Sequence, residues 1–233
     1  MGSVSTVSQT VGMTTGPTSP NVATNGANSL FAWIVDGDVY VRTGASSGTL
    51  GAAESKLLVH TATQSAVSVR LVPSGSGFAL AVRWVHPTMS TSPGKIEVFQ
   101  LTAAGALSGS PALVTDQSRS DYISGQQSTS VAVRASDGAI FVAWHQCDSA
   151  GTAGTCDVYG RMVRPNGTTS GAPFILSTLT DGDQTQPAVA SLPGPDNAFA
   201  AVWTDGSHIK PDMSGTAVRG RILYPPYDPN GSN

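Results

Sequence analysis

Four tryptophans each end a short apolar run at a similar place in four weak internal repeats, spaced 51, 60 and 59 residues apart. Their contexts are Phe31-Ala32-Trp33, Val82-Arg83-Trp84, Val142-Ala143-Trp144 and Ala201-Val202-Trp203. A period of this length, with one strand-like tryptophan segment in each copy, marks a supersecondary unit repeated four times. One such unit cannot bury its own apolar face, so the copies must pack on one another. Residues 1–233 are therefore expected to form a single domain.

Each repeat reads as four short strands separated by Gly, Asp, Asn and Pro turns. The repeats fall at about 17–61, 62–116, 126–178 and 184–224. The last stops after its third strand, and an N-terminal segment over 3–9, Val4-Ser5-Thr6-Val7-Ser8, can supply the missing fourth. The expected fold is all-β: a four-bladed β-propeller of four-stranded antiparallel blades, with the N-terminal strand closing the last blade. Closure removes the unpaired sheet edges that invite aggregation. The alternative is half of an eight-bladed dimeric ring, which makes a homo-oligomer one expected assembly.

Charged residues make up only 12% of the chain and the net charge is −3. No Lys/Arg run is present to neutralise a phosphate backbone, which argues against nucleic acid as a partner. No apolar stretch approaches the roughly 20 residues needed to span a bilayer, so membrane insertion is not expected. Cys147 and Cys156 are the only cysteines. The short run of small residues between them suits a disulfide across a hairpin loop, stabilising by roughly 2–3 kcal/mol and implying an oxidising compartment. The expected setting is secreted or cell-surface, although no signal peptide is visible.

The third and fourth repeats carry a more specific pattern. Gln186-Pro187-Ala188-Val189-Ala190 precedes Ala201-Val202-Trp203, and Asp157-Val158-Tyr159-Gly160-Arg161 follows the third tryptophan. This resembles repeats of bacterial secreted and surface propeller-like proteins, in which a Gln-Pro-x-Val-Ala strand leads to Val-Val-Trp and then Val-Tyr-Gly-Arg. The first two repeats match less closely, with Val41 and Val98 in place of the glycine and Phe99 in place of the arginine. The resemblance implies a propeller fold and an extracellular setting, and it brings no catalytic residues.

The loops between second and third strands vary in length and are expected to share one rim, which makes them the candidate binding surface. His86, His145, Asp148, Asp205 and His208 are the polar residues there. Three histidines on one rim raise the possibility of a metal. The acidic turns at Asp36/Asp38, Asp148/Asp157, Asp181/Asp183 and Asp205/Asp212 make calcium the one cofactor worth considering. Trp33, Trp84, Trp144 and Trp203 could line a sugar-stacking groove, but their place inside a periodic strand assigns them to the core. Arg42, Arg161 and Arg221 form a strand-three column that could clamp a carboxylate, against the plainer reading that they bond blade carbonyls.

No nucleophile motif and no obvious carboxylate pair stand out. The sequence thus reads as a non-enzymatic binding or adhesion module, lectin-like, with a glycan or protein as ligand. One alternative is a self-assembling surface or filament component, and another is a sialidase- or glycosidase-like hydrolase.

Overall fold

The computed structural model describes residues 5–9, 14–88, 94–115, 128–147, 156–179, 181–194, 196–209 and 215–224. The architecture is a four-bladed β-propeller. Blade 1 comprises β1 (Thr18–Thr24), β2 (Asn28–Val35), β3 (Asp38–Ala45) and β4 (Ser55–Leu58). Blade 2 comprises β5 (Ser65–Ser74), β6 (Gly77–Val85), β7 (Lys95–Leu101) and β8 (Ala112–Leu113). Blade 3 comprises β9 (Thr129–Val133), β10 (Ile140–Cys147), β11 (Cys156–Val163) and β12 (Thr169–Ile175). Blade 4 comprises β13 (Gln184–Ser191), β14 (Phe199–Asp205) and β15 (Ala217–Leu223). Every pairing is antiparallel between consecutive strands. No helix among the described residues is long and apolar enough to cross a membrane.

Local chemistry sets the blade geometry. Val35 pairs with Asp38 across a two-residue loop, and its Asp36 and Gly37 have φ of 51° and 82°. Two successive left-handed residues give the hairpin turn whose twist matches the strands, and Asp-Gly is the dipeptide best suited to it. The second strands of blades 2 and 3 are buried on both faces because each of those blades is sandwiched between two neighbours. β10 is buried along its whole length.

The core is a series of inter-blade layers. Leu30, Ile34, Phe78, Leu80 and Trp84 pack between blades 1 and 2. Ala81, Ile96, Ile140, Val142 and Trp144 pack between blades 2 and 3. Phe141, Val158, Leu176, Phe199 and Trp203 pack between blades 3 and 4. Trp33 packs with Val35, Tyr40 and Val7 on the remaining face of blade 1. All four tryptophans are buried, and Trp84, Trp144 and Trp203 face the preceding blade. Each fills a large apolar volume that no blade could bury alone.

One tryptophan does not share the column. Trp33, Trp144 and Trp203 pair with Tyr40, Tyr159 and Arg219. The amides of Val114 and Leu176 bond the carbonyls of Ile96 and Val158, which makes those two residues equivalent. Glu97 therefore matches Tyr159. Its partner in β6 is Val82, not Trp84. Trp84 lies two residues further along the strand, and because side chains alternate with period two it still faces blade 1. Arg83 then takes the column of His145.

The strand-three arginines lace blades together. Arg161 donates from Nε to Gly171 O (2.9 Å) and from Nη1 to Leu113 O (3.0 Å) and Val114 O (3.1 Å) at the outer edge of blade 2. Arg42 repeats the pattern, with Gly51 O at 2.9 Å, Thr6 O at 3.2 Å and Val7 O at 2.8 Å. Thr6 and Val7 thus stand where an outermost strand of the preceding blade should lie. Around the ring that blade is blade 4, which has three strands among the described residues.

Cys147 and Cys156 face one another directly in the β10–β11 register and form a disulfide.

Candidate functional site

The ends of β6 and β10, the start of β13 and the end of β14 bring a polar cluster together at one end of blades 2, 3 and 4. His145 follows Trp144 and points the opposite way, toward blade 4. Its ring is buried, and Nδ1 has no hydrogen-bond partner among the described residues. Burial, reinforced by the Arg83 charge and opposed by Asp183, pushes its pKa down to about 4. The imidazole is neutral at physiological pH, because charging it means desolvating a cation. Burial also pulls the Arg83 guanidinium below its usual pKa.

Asp183 ends the turn that leads into β13. Its Oδ1 accepts from the Cys156 amide at 3.2 Å, and its carbonyl accepts from the Gly206 amide at 2.8 Å. Gly182, at φ +73°, lies so close to Gly206 that a Cβ would collide with the Gly206 carbonyl oxygen. Only glycine fits both that conformation and that approach. The Asp181-Gly182-Asp183 turn is therefore seated firmly on blade 4, with Asp181 exposed and Asp183 half-buried.

Asp205 lies behind this turn. Burial would raise its pKa, but bonds from Arg219 Nε, Ser207 Oγ (2.8 Å) and Gln184 Nε2 (3.1 Å) win and hold it below the usual carboxylate range. Gln184 is fully buried and also donates to Asp181 O at 2.8 Å. Asp205 is almost wholly enclosed, so it orders the turn and does not itself reach solvent.

The other expected site residues do not join this group. His86 is half-buried and bonds within its own turn, to the Thr88 amide and hydroxyl at 3.3 and 3.4 Å. His208 is exposed, at φ 55°. Asp148 lies outside the described residues. Among the described residues no cluster of three or more His, Cys, Asp or Glu side chains could hold a metal ion. The first acidic turn is already committed: Asp36 accepts from the amides and hydroxyls of Thr14 and Thr15, and Asp38 from Lys56 and His60. Both carboxylates are held below their usual range by these donors, in Asp38 against the opposing effect of burial. Arg42 and Arg161 spend their donors on backbone carbonyls and clamp no substrate.

Arg83 was missed at the sequence level. Its signal was an arginine beside a core tryptophan within an otherwise apolar strand. Gln184 was missed too, and its place after Asp-Gly-Asp at a strand start was the available cue.

No protein-family model matches the sequence, and no curated relative matches it. Solved structures do resemble it. A xylan β-1,4-xylosidase from Bacillus halodurans C-125 aligns with a TM-score of 0.53 at 11% identity, over 90% of this chain and 40% of that one. A thermostable family-43 glycoside hydrolase aligns with a TM-score of 0.54 at 11% identity, over 96% and 74%. A Hadza microbial sialidase aligns with a TM-score of 0.56 at 12% identity, over 87% and 43%. At such identities the likeness is one of fold, and the chain spans less than half of the xylosidase and of the sialidase. The neighbours nevertheless correct the expectation of a non-enzymatic binding or adhesion module, and with it the expectation of no enzymatic activity. Glycoside hydrolases and a sialidase stand among the solved structures that share this fold, so the hydrolase alternative is the one carried forward as a proposal.

Proposed function

We propose that this chain is a carbohydrate-active hydrolase of the propeller type, acting on glycosidic bonds outside the reducing cytosol. The observation that carries the reading is the convergence of Arg83, His145 and Asp183 from three successive blades at one end of the molecule. The scaffold around them resembles part of the xylosidase, the family-43 hydrolase and the sialidase, which supports the reading.

Glycoside hydrolysis uses two carboxyl groups across the scissile bond, one giving a proton to the leaving oxygen and one acting as nucleophile or activating water. Asp183 is the carboxylate fixed at the site, and Asp181 is its partner across Gly182. Arg83 keeps the local potential positive. His145 is neutral and buried, so it does not itself reach a sugar. The disulfide fits the same setting, because structural disulfides persist in oxidising compartments.

The test is hydrolysis of aryl β-xylosides, α-arabinofuranosides and α-sialosides by the full chain, with Asp183→Asn and Asp181→Asn beside it. Turnover of one class is expected, falling at least a hundredfold in Asp183→Asn while the melting temperature stays within a few degrees. No turnover of any class, or unchanged turnover in Asp183→Asn, would end the proposal.

A further inference from the structure

Blade 4 carries a bare apolar face. Side chains of β14 and β15 alternate between its two sides. Ala201, Trp203 and Leu223 pack against blade 3. Val202, Val218 and Ile222 point the other way and are exposed, Val218 by 78%. The registers Ala188↔Val202 and Ala190↔Ala200↔Ile222 extend this side across all three strands. No residue on it is charged. A contiguous apolar face of this kind marks an interaction surface.

The inner seams show what such a face accepts. Val158, the blade 3 equivalent of Val218, is fully buried in the layer against blade 4. Blade 1 of the same chain does not supply that cover. Its Trp33, Val35 and Tyr40 are already buried, with Val7 packed on them. The same closure argues against an eight-bladed ring of two chains, in which the Trp33 face of a second copy would have to receive blade 4. Edge-to-edge pairing through β15, the open edge of blade 4 among the described residues, is the other symmetric arrangement. It would bring Arg219 and Arg221 of the two copies beside one another, and like charges across a strand pair are destabilising.

We propose that blade 4 docks face to face on blade 4 of a second copy, about a two-fold axis running along the strands. That axis carries β15 of one copy over β13 of the other. The ridge formed by Val218 and Ile222 then lies along the shallow column of Ala188 and Ala190, so the surface complements itself, as a two-fold interface requires. An uncharged face meets its own copy without like-charge contacts and without burying an unpaired ion. Three strands of about seven residues make a face of roughly 14 by 24 Å. This lies at the low end of specific interfaces. The dimer therefore dissociates on dilution, and the protomer alone carries the fold. Assembly is independent of hydrolase activity.

The test is sedimentation velocity of the full chain over a hundredfold concentration series. The weight-average mass is expected to rise from one chain toward two. Val218→Asp should weaken association at least tenfold and leave the melting temperature of the dilute chain unchanged, because Val218 is exposed in the protomer. Ile222→Asp should also block the dimer. Adding Ala190→Lys to it should restore association, since each carboxylate then faces an ammonium on the other copy. Leu107→Asp, at a comparably exposed site on blade 2, should change nothing. A monomer throughout the series, a dimer indifferent to Val218→Asp, a dimer equally lost in Leu107→Asp, or no rescue by Ala190→Lys would each overturn the assignment.

Discussion

Blades 3 and 4 use the same columns and meet opposite environments. Val158 and Val218 are equivalent residues of strand three; Val158 is fully buried, while Val218 is 78% exposed. Ala143 is buried where Val202 is 42% exposed, and half-buried Met162 corresponds to Ile222, 43% exposed. The difference lies in the neighbour. The far face of blade 3 is covered by blade 4, whereas the far face of blade 4 turns toward the seam between last and first blades. A propeller blade thus has no intrinsic inside: burial of a given column is conferred by the next copy.

The sharpest way to break this comparison is to place the same charge at both equivalent sites. Val158→Asp puts a carboxylate into the layer between blades 3 and 4 with no partner to neutralise it. A loss of about 4 kcal/mol or more is expected, enough to abolish a cooperative melt. Val218→Asp should change stability by about 0.5 kcal/mol or less, as exposed substitutions do. Denaturant titration of both variants checks this. A comparable loss from Val218→Asp would mean that its face is covered in solution.

The repeat made most of the fold legible. Period, strand count and turn chemistry are local properties, so four blades and the disulfide hairpin could be read from residues alone. Trp84 shows where that reasoning failed. A tryptophan two positions along the same strand faces the same neighbour, so spacing alone cannot separate the two registers. Only the Val114 and Leu176 amide bonds reveal it. The site was less legible, because it is assembled between blades. Arg83, His145 and Asp183 lie on three different repeats, and no short motif joins them. Of the five loop-face candidates, His145 and Asp205 enter the cluster, and Asp205 does so as a buried support. The expected binding-module function failed for a related reason: loop variability reports freedom to change and says nothing about the chemistry a scaffold supports.

The second difference between the two blades is titratable. His145 in blade 3 occupies the column of Thr204 in blade 4. With a folded pKa of about 4 against an ordinary 6.5, the native ring stays unprotonated over a range in which the unfolded chain takes up a proton. Its contribution is therefore complete above pH 6.5, is lost as pH falls, and levels off below pH 4. The total is about 3 kcal/mol. The lowered pKa of Asp205 contributes its own loss only below the ordinary carboxylate value of 3.8, so the two windows separate. His145→Thr, which gives blade 3 the residue of blade 4, should flatten the stability curve between pH 6.5 and 4. Persistence of the full slope in that variant would assign the proton uptake to another group.

The smallest expected effect isolates packing without charge. Gly160 and Gly220 share a column. A Cβ on Gly160 would lie 2.5 Å from Phe141 Cζ and 2.8 Å from its Cε2, with Leu176 Cδ1 at 3.2 Å. Phe141 is fully buried between Phe174 and Phe199 and cannot swing aside. Gly160→Ala should therefore cost about 1–3 kcal/mol, the usual penalty for overfilling a packed layer. A Cβ on Gly220 meets Val202 Cγ1 and Ala201 O at 3.0 Å. Val202 is partly exposed and can turn away, leaving a shift of a few tenths of an ångström at the carbonyl. Removing a flexible glycine from a strand offsets part of that strain. Gly220→Ala should cost about 1 kcal/mol or less, read from paired thermal melts. If the two alanine variants lose equal stability, the glycine column answers to strand geometry common to all blades, and the neighbour does not set its tolerance.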